Sequence, residues 1–145
     1  MLEELIQKNR CSFFEKFENW EEAIKAACKP LEEQKVIEKS YAHEIIKSVK
    51  KYGPYIIIAP HIAIPHAQEG NGVNETAIAF MKTEEPVQFS QSEEESAQLF
   101  FVLASADNNI HLKNLAELVE ILSDEEFVSR LLKVKNIEQL KSLIK

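Results

Sequence analysis

The stretch Tyr55-Ile-Ile-Ile-Ala-Pro-His-Ile-Ala-Ile-Pro-His-Ala-Gln68 decides how this chain is read. Its first part, Tyr55–Ala59, is a continuous apolar run rich in β-branched residues. That composition predicts a strand buried on both faces. Pro60 and Pro65 fix φ, so the residues after the run cannot turn into a helix. On the N-terminal side Gly53-Pro54 is a firm helix stop. The helix it ends carries the stripe Tyr41, Ile45, Ile46 and Val49. Lys47, Lys50 and Lys51 crowd its last turn, where cations suit the helix dipole. Further upstream, Asn19-Trp-Glu-Glu22 reads as a capping box. Trp20, Ala23, Ile24, Ala27 and Cys28 then follow helical spacing, and Pro30 is expected to end or restart that helix.

On the C-terminal side Thr76–Met81 and Gln98–Ser105 read as two more strands. Asp107, Asn108 or Asn109 then caps a helix with Leu112, Leu115, Leu118, Val119 and Leu122 on one side. Ser123-Asp-Glu-Glu126 opens another helix through Leu132, and Asn136-Ile-Glu-Gln139 a short last one. Helices thus flank a group of central strands, which predicts an α/β domain of three layers. The 145 residues are one domain's worth, so residues 1–145 are read as a single unit.

Charge narrows the function. With 17 Lys+Arg against 24 Asp+Glu the net charge is −7, and no basic face suits a nucleic acid. Residues 53–106 carry Lys82 against Glu69, Glu75, Glu84, Glu85, Glu93, Glu94 and Glu95. That excess is either a solvated loop or a steering field for a basic partner. Cys11 and Cys28 form no CxxC motif and fit a reducing compartment. Met1-Leu-Glu-Glu-Leu-Ile6 has no basic leader region. The apolar runs Tyr55–Pro60 and Leu99–Ala104 are far short of the ~20 residues that span a bilayer. The expectation is a cytoplasmic protein with no direct membrane insertion.

Three of the four histidines carry the functional argument; His43, beside Glu44 in a helix, carries none. His66 follows a proline at the exit of the core strand, a stiff mount of the kind that holds reactive groups. His111 lies in the first turn of a helix fed directly by a strand. The free N–H groups and positive dipole end there favour an anion, and ligands in α/β sheets bind at such turns. One site could combine a nucleophilic imidazole, a second imidazole as donor, and backbone N–H groups. That suits phosphoryl transfer through a phosphohistidine: imidazole, with a reference pKa near ~6.5, is largely neutral and nucleophilic at pH 7. Catalysis of such a transfer is mostly positioning and stabilisation of oxygen charge. His61, Gln68 and Asn109 are the further candidates for holding the phosphoryl oxygens. A zinc site from His61, His66, His111 and Asp107 is the competing chemistry. Against it, an extended strand places His61 and His66 on opposite faces, and no Cys lies near. No Gly-x-Ser-x-Gly elbow, Walker-type loop or GxGxxG occurs, so serine hydrolysis, ATP and NAD sites are not expected. No cofactor or metal is needed.

The run Tyr52-Gly-Pro-Tyr-Ile-Ile-Ile-Ala-Pro-His-Ile-Ala-Ile-Pro-His-Ala67 resembles the active-site segment of the enzyme IIA domains of the bacterial sugar phosphotransferase system, mannitol/fructose type. Its Gly-Pro-Tyr lead-in is similar to the ascorbate-like branch. Ala106-Asp-Asn-Asn-Ile-His-Leu-Lys-Asn-Leu115 resembles that family's second active-site histidine at a helix start. Asn19-Trp-Glu-Glu-Ala-Ile24 and Pro30-Leu31 also look like that branch. The resemblance implies a three-layer sandwich with a mixed central sheet. It implies that His66 takes a phosphoryl group at Nε2 from the phosphocarrier HPr, with His111 in support. His66 would pass the group to a IIB component and, through it, to a membrane IIC transporter that phosphorylates a sugar of ascorbate-like or pentitol/hexitol type. A regulatory module whose phosphohistidine is read by another protein is the alternative. Oligomeric state, including a homodimer, stays open. Two departures stand out. A Gly often occupies the position of His61 in that branch, and an Arg that of Gln68. Mannitol-type relatives also use an Arg in the helix before the strand, where this chain offers Lys47, Lys50 and Lys51.

Overall fold

Two long apolar stretches become neighbouring central strands, and everything else is arranged around them. The computed structural model describes residues 1–67 and 72–145. Among these, the elements in order are α1 (Leu2–Gln7), β1 (Cys11–Phe14), α2 (Trp20–Glu33), α3 (Lys39–Tyr52), β2 (Ile57–Ala59), β3 (His61–Ala63), β4 (Ala77–Gln88), β5 (Ser96–Ala104), α4 (Asn108–Leu122), α5 (Glu125–Leu131) and α6 (Ile137–Leu143). The strands form one sheet in the order β1-β4-β5-β3-β2. β4 pairs antiparallel with β5, while β1 runs parallel to β4 and β3 parallel to β5, so the sheet is mixed.

Both faces are covered, which is why β4 and β5 read as nearly unbroken apolar runs. Ala77, Ala79, Met81, Phe100 and Val102 face α2 and α3. Ile78, Phe80, Leu99, Phe101 and Leu103 face the layer of α1, α4, α5 and α6. The alternation assigns small Ala side chains mainly to the α2/α3 side and bulky ones to the other. The three-layer α/β expectation holds. Asn19, Asp107, Asp124 and Asn136 each accept a backbone N–H from the first turn of the helix they cap; Asn19, Asp107 and Asn136 are cap positions expected from the sequence, whereas Asp124 caps α5 in place of Ser123, which ends α4.

Three local expectations are corrected. Tyr55–Ala59 is not an interior strand: only Ile57–Ala59 is extended, at the sheet edge, with Ile58 51% exposed. The core instead takes Ile56, while Pro60 turns the chain into the antiparallel partner β3. The helix opened by Asn19 runs through Pro30 to Glu33. Pro30 lies in its last turn, and its carbonyl still accepts from Gln34 N–H at 3.2 Å. β4 continues past Met81 to Gln88. Its charges make the extension read as loop, yet Lys82 is buried, with Nζ 2.7 Å from the Glu84 carboxylate. Two elements, α1 and β1, have too short an apolar pattern to be read in advance.

Burial, of Cys11 in β1 and Cys28 in α2, fixes the fate of the thiols. Burial pushes the Cys11 thiol up to about 12 and the Cys28 thiol higher still. Both cysteines are free. Because the thiolate is the reactive form, the native protein should resist alkylation at pH 8. Both thiols should react within minutes once the chain is unfolded in denaturant. Rapid labelling of the folded protein, counted by intact mass, would contradict this burial.

Candidate functional site

The site forms where β3 and β5 end side by side. Beyond Ala63 the chain stays beside β5: the Leu103 N–H donates to the Pro65 carbonyl at 2.9 Å. Pro65 keeps the backbone extended there, and His66 follows on this mount. The His66 Nδ1 lies 2.7 Å from the carbonyl oxygen of Ile64. A carbonyl can only accept, so Nδ1 carries the proton and donates it. That leaves Nε2 with a bare lone pair. Tyr55, from the Gly-Pro-Tyr segment, stands edge-on to the imidazole with ring centroids 5.1 Å apart. Its hydroxyl donates to the His66 main-chain carbonyl. Partial burial holds the Tyr55 phenol above its usual range, so it remains a donor.

His111 reaches the same place from the other side. The turn from β5 into α4 is pinned by Thr76, whose hydroxyl oxygen accepts N–H bonds from Ala106 at 2.8 Å and Asp107 at 2.6 Å. Asp107 then caps the helix, accepting the Ile110 N–H at 3.0 Å. The resulting cavity is about 390 Å³ and is lined by Tyr41, His66, Ala67, Leu103, Ser105, Asn108 and His111. A larger surface groove between α5 and α6, about 530 Å³ and lined by Arg130, Lys133 and Gln139 among others, holds no imidazole.

The structure thus brings His66 and His111 together, while His61 and Asn109 do not line the cavity with them. His61 begins β3 opposite Ala97, at the far end of that strand from His66. Its φ is +72°, a conformation that glycine adopts without cost, and its Nδ1 is buried without a hydrogen-bond partner. A side chain held there does not line the cavity. Asn109 is exposed in the first turn of α4, and its neighbour Asn108 forms the wall instead. Gln68 lies outside the described residues. Among the described residues no group of three His, Cys, Asp or Glu is placed to hold a metal ion, so the zinc set is not assembled. Tyr41 and Ser105 are cavity residues that sequence reasoning did not single out. Tyr41 fits the apolar stripe of its helix, and that fit hides the hydroxyl on its far end.

Among the described residues no lysine or arginine lines the cavity. Lys50 lies 3.9 Å from Glu21, and Lys51 sits over the Tyr52 ring. Five of the seven acidic residues of segment 53–106 lie away from His66 and His111. Glu84, Glu85 and Glu93–Glu95 flank the β4–β5 connection, whereas the cavity lies at the opposite end of β5. Phe89 is buried and stacks on Trp20 with centroids 5.5 Å apart. No helix among the described residues is long and apolar enough to cross a membrane.

The covered mixed sheet is the fold of mannitol-type enzyme IIA structures, and in this chain two imidazoles meet at its strand ends. The chain belongs to the family "Phosphoenolpyruvate-dependent sugar phosphotransferase system, EIIA 2", whose model matches residues 4–145. Members of this family are phosphotransferases that relay phosphate through a histidine. Among similar sequences is the ascorbate-specific PTS system EIIA component of Escherichia coli (strain K12), 29% identical over 128 residues, covering 88% of this chain and 83% of that one. Among solved structures, the mannitol-specific cryptic phosphotransferase enzyme IIA CmtB from Escherichia coli superposes with a TM-score of 0.81 at 29% identity, over 94% of this chain and 92% of the other. The complex of mannitol enzyme IIA with phosphorylated mannitol enzyme IIB from Escherichia coli gives 0.76 at 25% identity, over 92% of each chain.

Proposed function

We propose that His66 is the phosphoryl acceptor and that transfer takes place at its Nε2. The observation that carries this is the Nδ1–H donated to the Ile64 carbonyl, which leaves Nε2 as the only nucleophilic ring nitrogen. In the forward step Nε2 attacks the phosphorus of phospho-HPr. The N–P bond to the HPr imidazole breaks as the bond to His66 forms. The Nδ1 proton stays on His66, held by the Ile64 carbonyl, which stabilises the ring as it gains positive character. The reverse chemistry hands the group to a IIB component, the kind of partner that the mannitol relative engages. His111, Asn108 and Ser105 supply donors to the equatorial oxygens, where charge develops.

The sugar would be of ascorbate-like or pentitol/hexitol type, a reading supported by the ascorbate-specific relative. Two free, separated cysteines suit a cytoplasmic setting. The test is incubation with phosphoenolpyruvate, enzyme I and HPr, then intact mass and fragment mapping. One acid-labile phosphoryl group on His66 is expected. No added mass, under conditions that modify a control enzyme IIA, would reject the reading.

Both partners must reach the same nitrogen in turn, so they share one docking face. Beside His111 the helix α4 exposes Leu112 (63%) and Val119 (59%), an apolar stripe that none of the described residues covers. Their spacing matches a core stripe, but only Leu118 of α4 is fully buried. Leu112→Asp should raise the KM for phospho-HPr by about ten-fold, the scale of one interface anchor, with the melting temperature unchanged. An unaltered KM would remove this face from the docking surface.

A further inference from the structure

β3 ends at Ala63, but its pairing with β5 does not. Ala63 stands opposite Phe100, and the same offset sets His66 opposite Leu103. In a parallel ladder Leu103 would donate to the residue before His66 and accept from the residue after it. The first bond is present, from the Leu103 N–H to the Pro65 carbonyl at 2.9 Å. The second, from the Ala67 N–H to the Leu103 carbonyl, is replaced by a side chain. The Tyr41 hydroxyl donates to the Leu103 carbonyl and accepts the Ala67 N–H at 3.4 Å. One oxygen atom is inserted into the sheet at the rung that carries His66.

The insertion comes from α3, on the far side of the sheet from α4. Tyr41 is 3% exposed and its ring is part of the α2/α3 core. A phenylalanine would fill that space equally well, so packing alone does not call for the oxygen. The hydroxyl also lines the cavity shared by His66 and His111. Resting on the reading of His66 as the phosphoryl carrier, we propose that Tyr41 is a positioning residue. Its hydroxyl props the His66 segment away from β5 and so fixes where Nε2 stands in the cavity. Burial raises the Tyr41 phenol well above its usual range, so it remains a protonated donor through the working pH.

Removing the oxygen leaves the Leu103 carbonyl and the Ala67 N–H without their shared partner. The rung then rearranges and carries the imidazole with it. Near-attack geometry is sensitive on the ångström scale. In the full chain, Tyr41→Phe should lower the transfer rate constant from phospho-HPr by about ten-fold or more, with KM unchanged because Tyr41 is not on the surface. The imidazole nitrogen-15 shifts of His66 should move from a single Nδ1–H tautomer toward a mixture. Ile45→Val, a buried change on the same helix, costs stability without touching the hydroxyl. It should leave both readouts at their wild-type values. Unchanged shifts and rate in Tyr41→Phe, or equal changes in Ile45→Val, would overturn the proposal. If the wild type accepts no phosphoryl group, the carrier reading fails, and the nitrogen shifts still decide the positioning role. If Tyr41→Phe does not fold, the wild type decides. Its Tyr41 hydroxyl proton should be a slowly exchanging resonance close to the Ala67 amide, and rapid exchange with water would refute the wedge.

Discussion

His66→Ala stays at its unmodified mass after incubation with phosphoenolpyruvate, enzyme I and HPr, while the wild type gains one phosphoryl group. The expected loss of transfer is at least about a thousand-fold, the scale on which removal of a nucleophile acts. Unfolding should not explain it. The substitution deletes the Nδ1–H bond to Ile64 and the edge-on contact with Tyr55. It leaves the Leu103 N–H bond to Pro65, and the Tyr55 hydroxyl still reaches the main-chain carbonyl of residue 66. The loop therefore keeps its ties, and the melting temperature should stay within a few degrees of wild type. His43→Ala and His61→Ala should both label fully, because neither residue lines the cavity. A fully labelled His66→Ala protein would end the assignment.

How much of this was legible beforehand depends on the range of the interaction involved. Most helix caps and the placing of His66 and His111 at the ends of strands rest on local signals. A proline before a histidine, an Asp or Asn three residues before an accepted N–H, and a strand running into a helix all lie within a few residues. What sequence could not give is what the sheet decides. The run Tyr55–Ala59 has the composition of an interior strand. Yet it is split between core and edge because β4 and β5 occupy the centre and Pro60 folds the chain back as β3. Lys82 looks like the end of a strand until Glu84, two residues on along the same face, is seen to hold its ammonium. Tyr41 counts correctly as a core residue of α3, but its hydroxyl acts on Leu103 and Ala67, which only the tertiary fold brings near. With the cap at Asp107, the cavity wall takes Asn108 rather than the Asn109 that the sequence singled out.

His111→Ala should slow phosphoryl transfer through His66 by about a hundred-fold, the usual cost of removing one preorganised donor at developing charge. The cavity wall sets the size of the effect. Among the described residues it contributes Ser105, Asn108 and His111 as side-chain donors besides His66 and Tyr41, and no lysine or arginine. Tyr41 is already committed to the Leu103 carbonyl. Removing His111 therefore takes away one of few donors within reach of the phosphoryl oxygens. His111→Gln keeps a donor of similar reach, so it should recover part of the rate. Equal losses in the Gln and Ala variants would show that an amide donor cannot replace the imidazole. Stability offers no escape, since His111 is half-exposed and the Asp107 cap bonds the Ile110 N–H, not the imidazole. Substitutions at such positions stay within about 0.5 kcal/mol. Pre-steady-state transfer from phospho-HPr, followed by quench and intact mass, measures the rate. Wild-type transfer by His111→Ala would leave Asn108, Ser105 and the first-turn N–H groups of α4 to stabilise the phosphoryl group alone, and the second imidazole would have no part in the reaction.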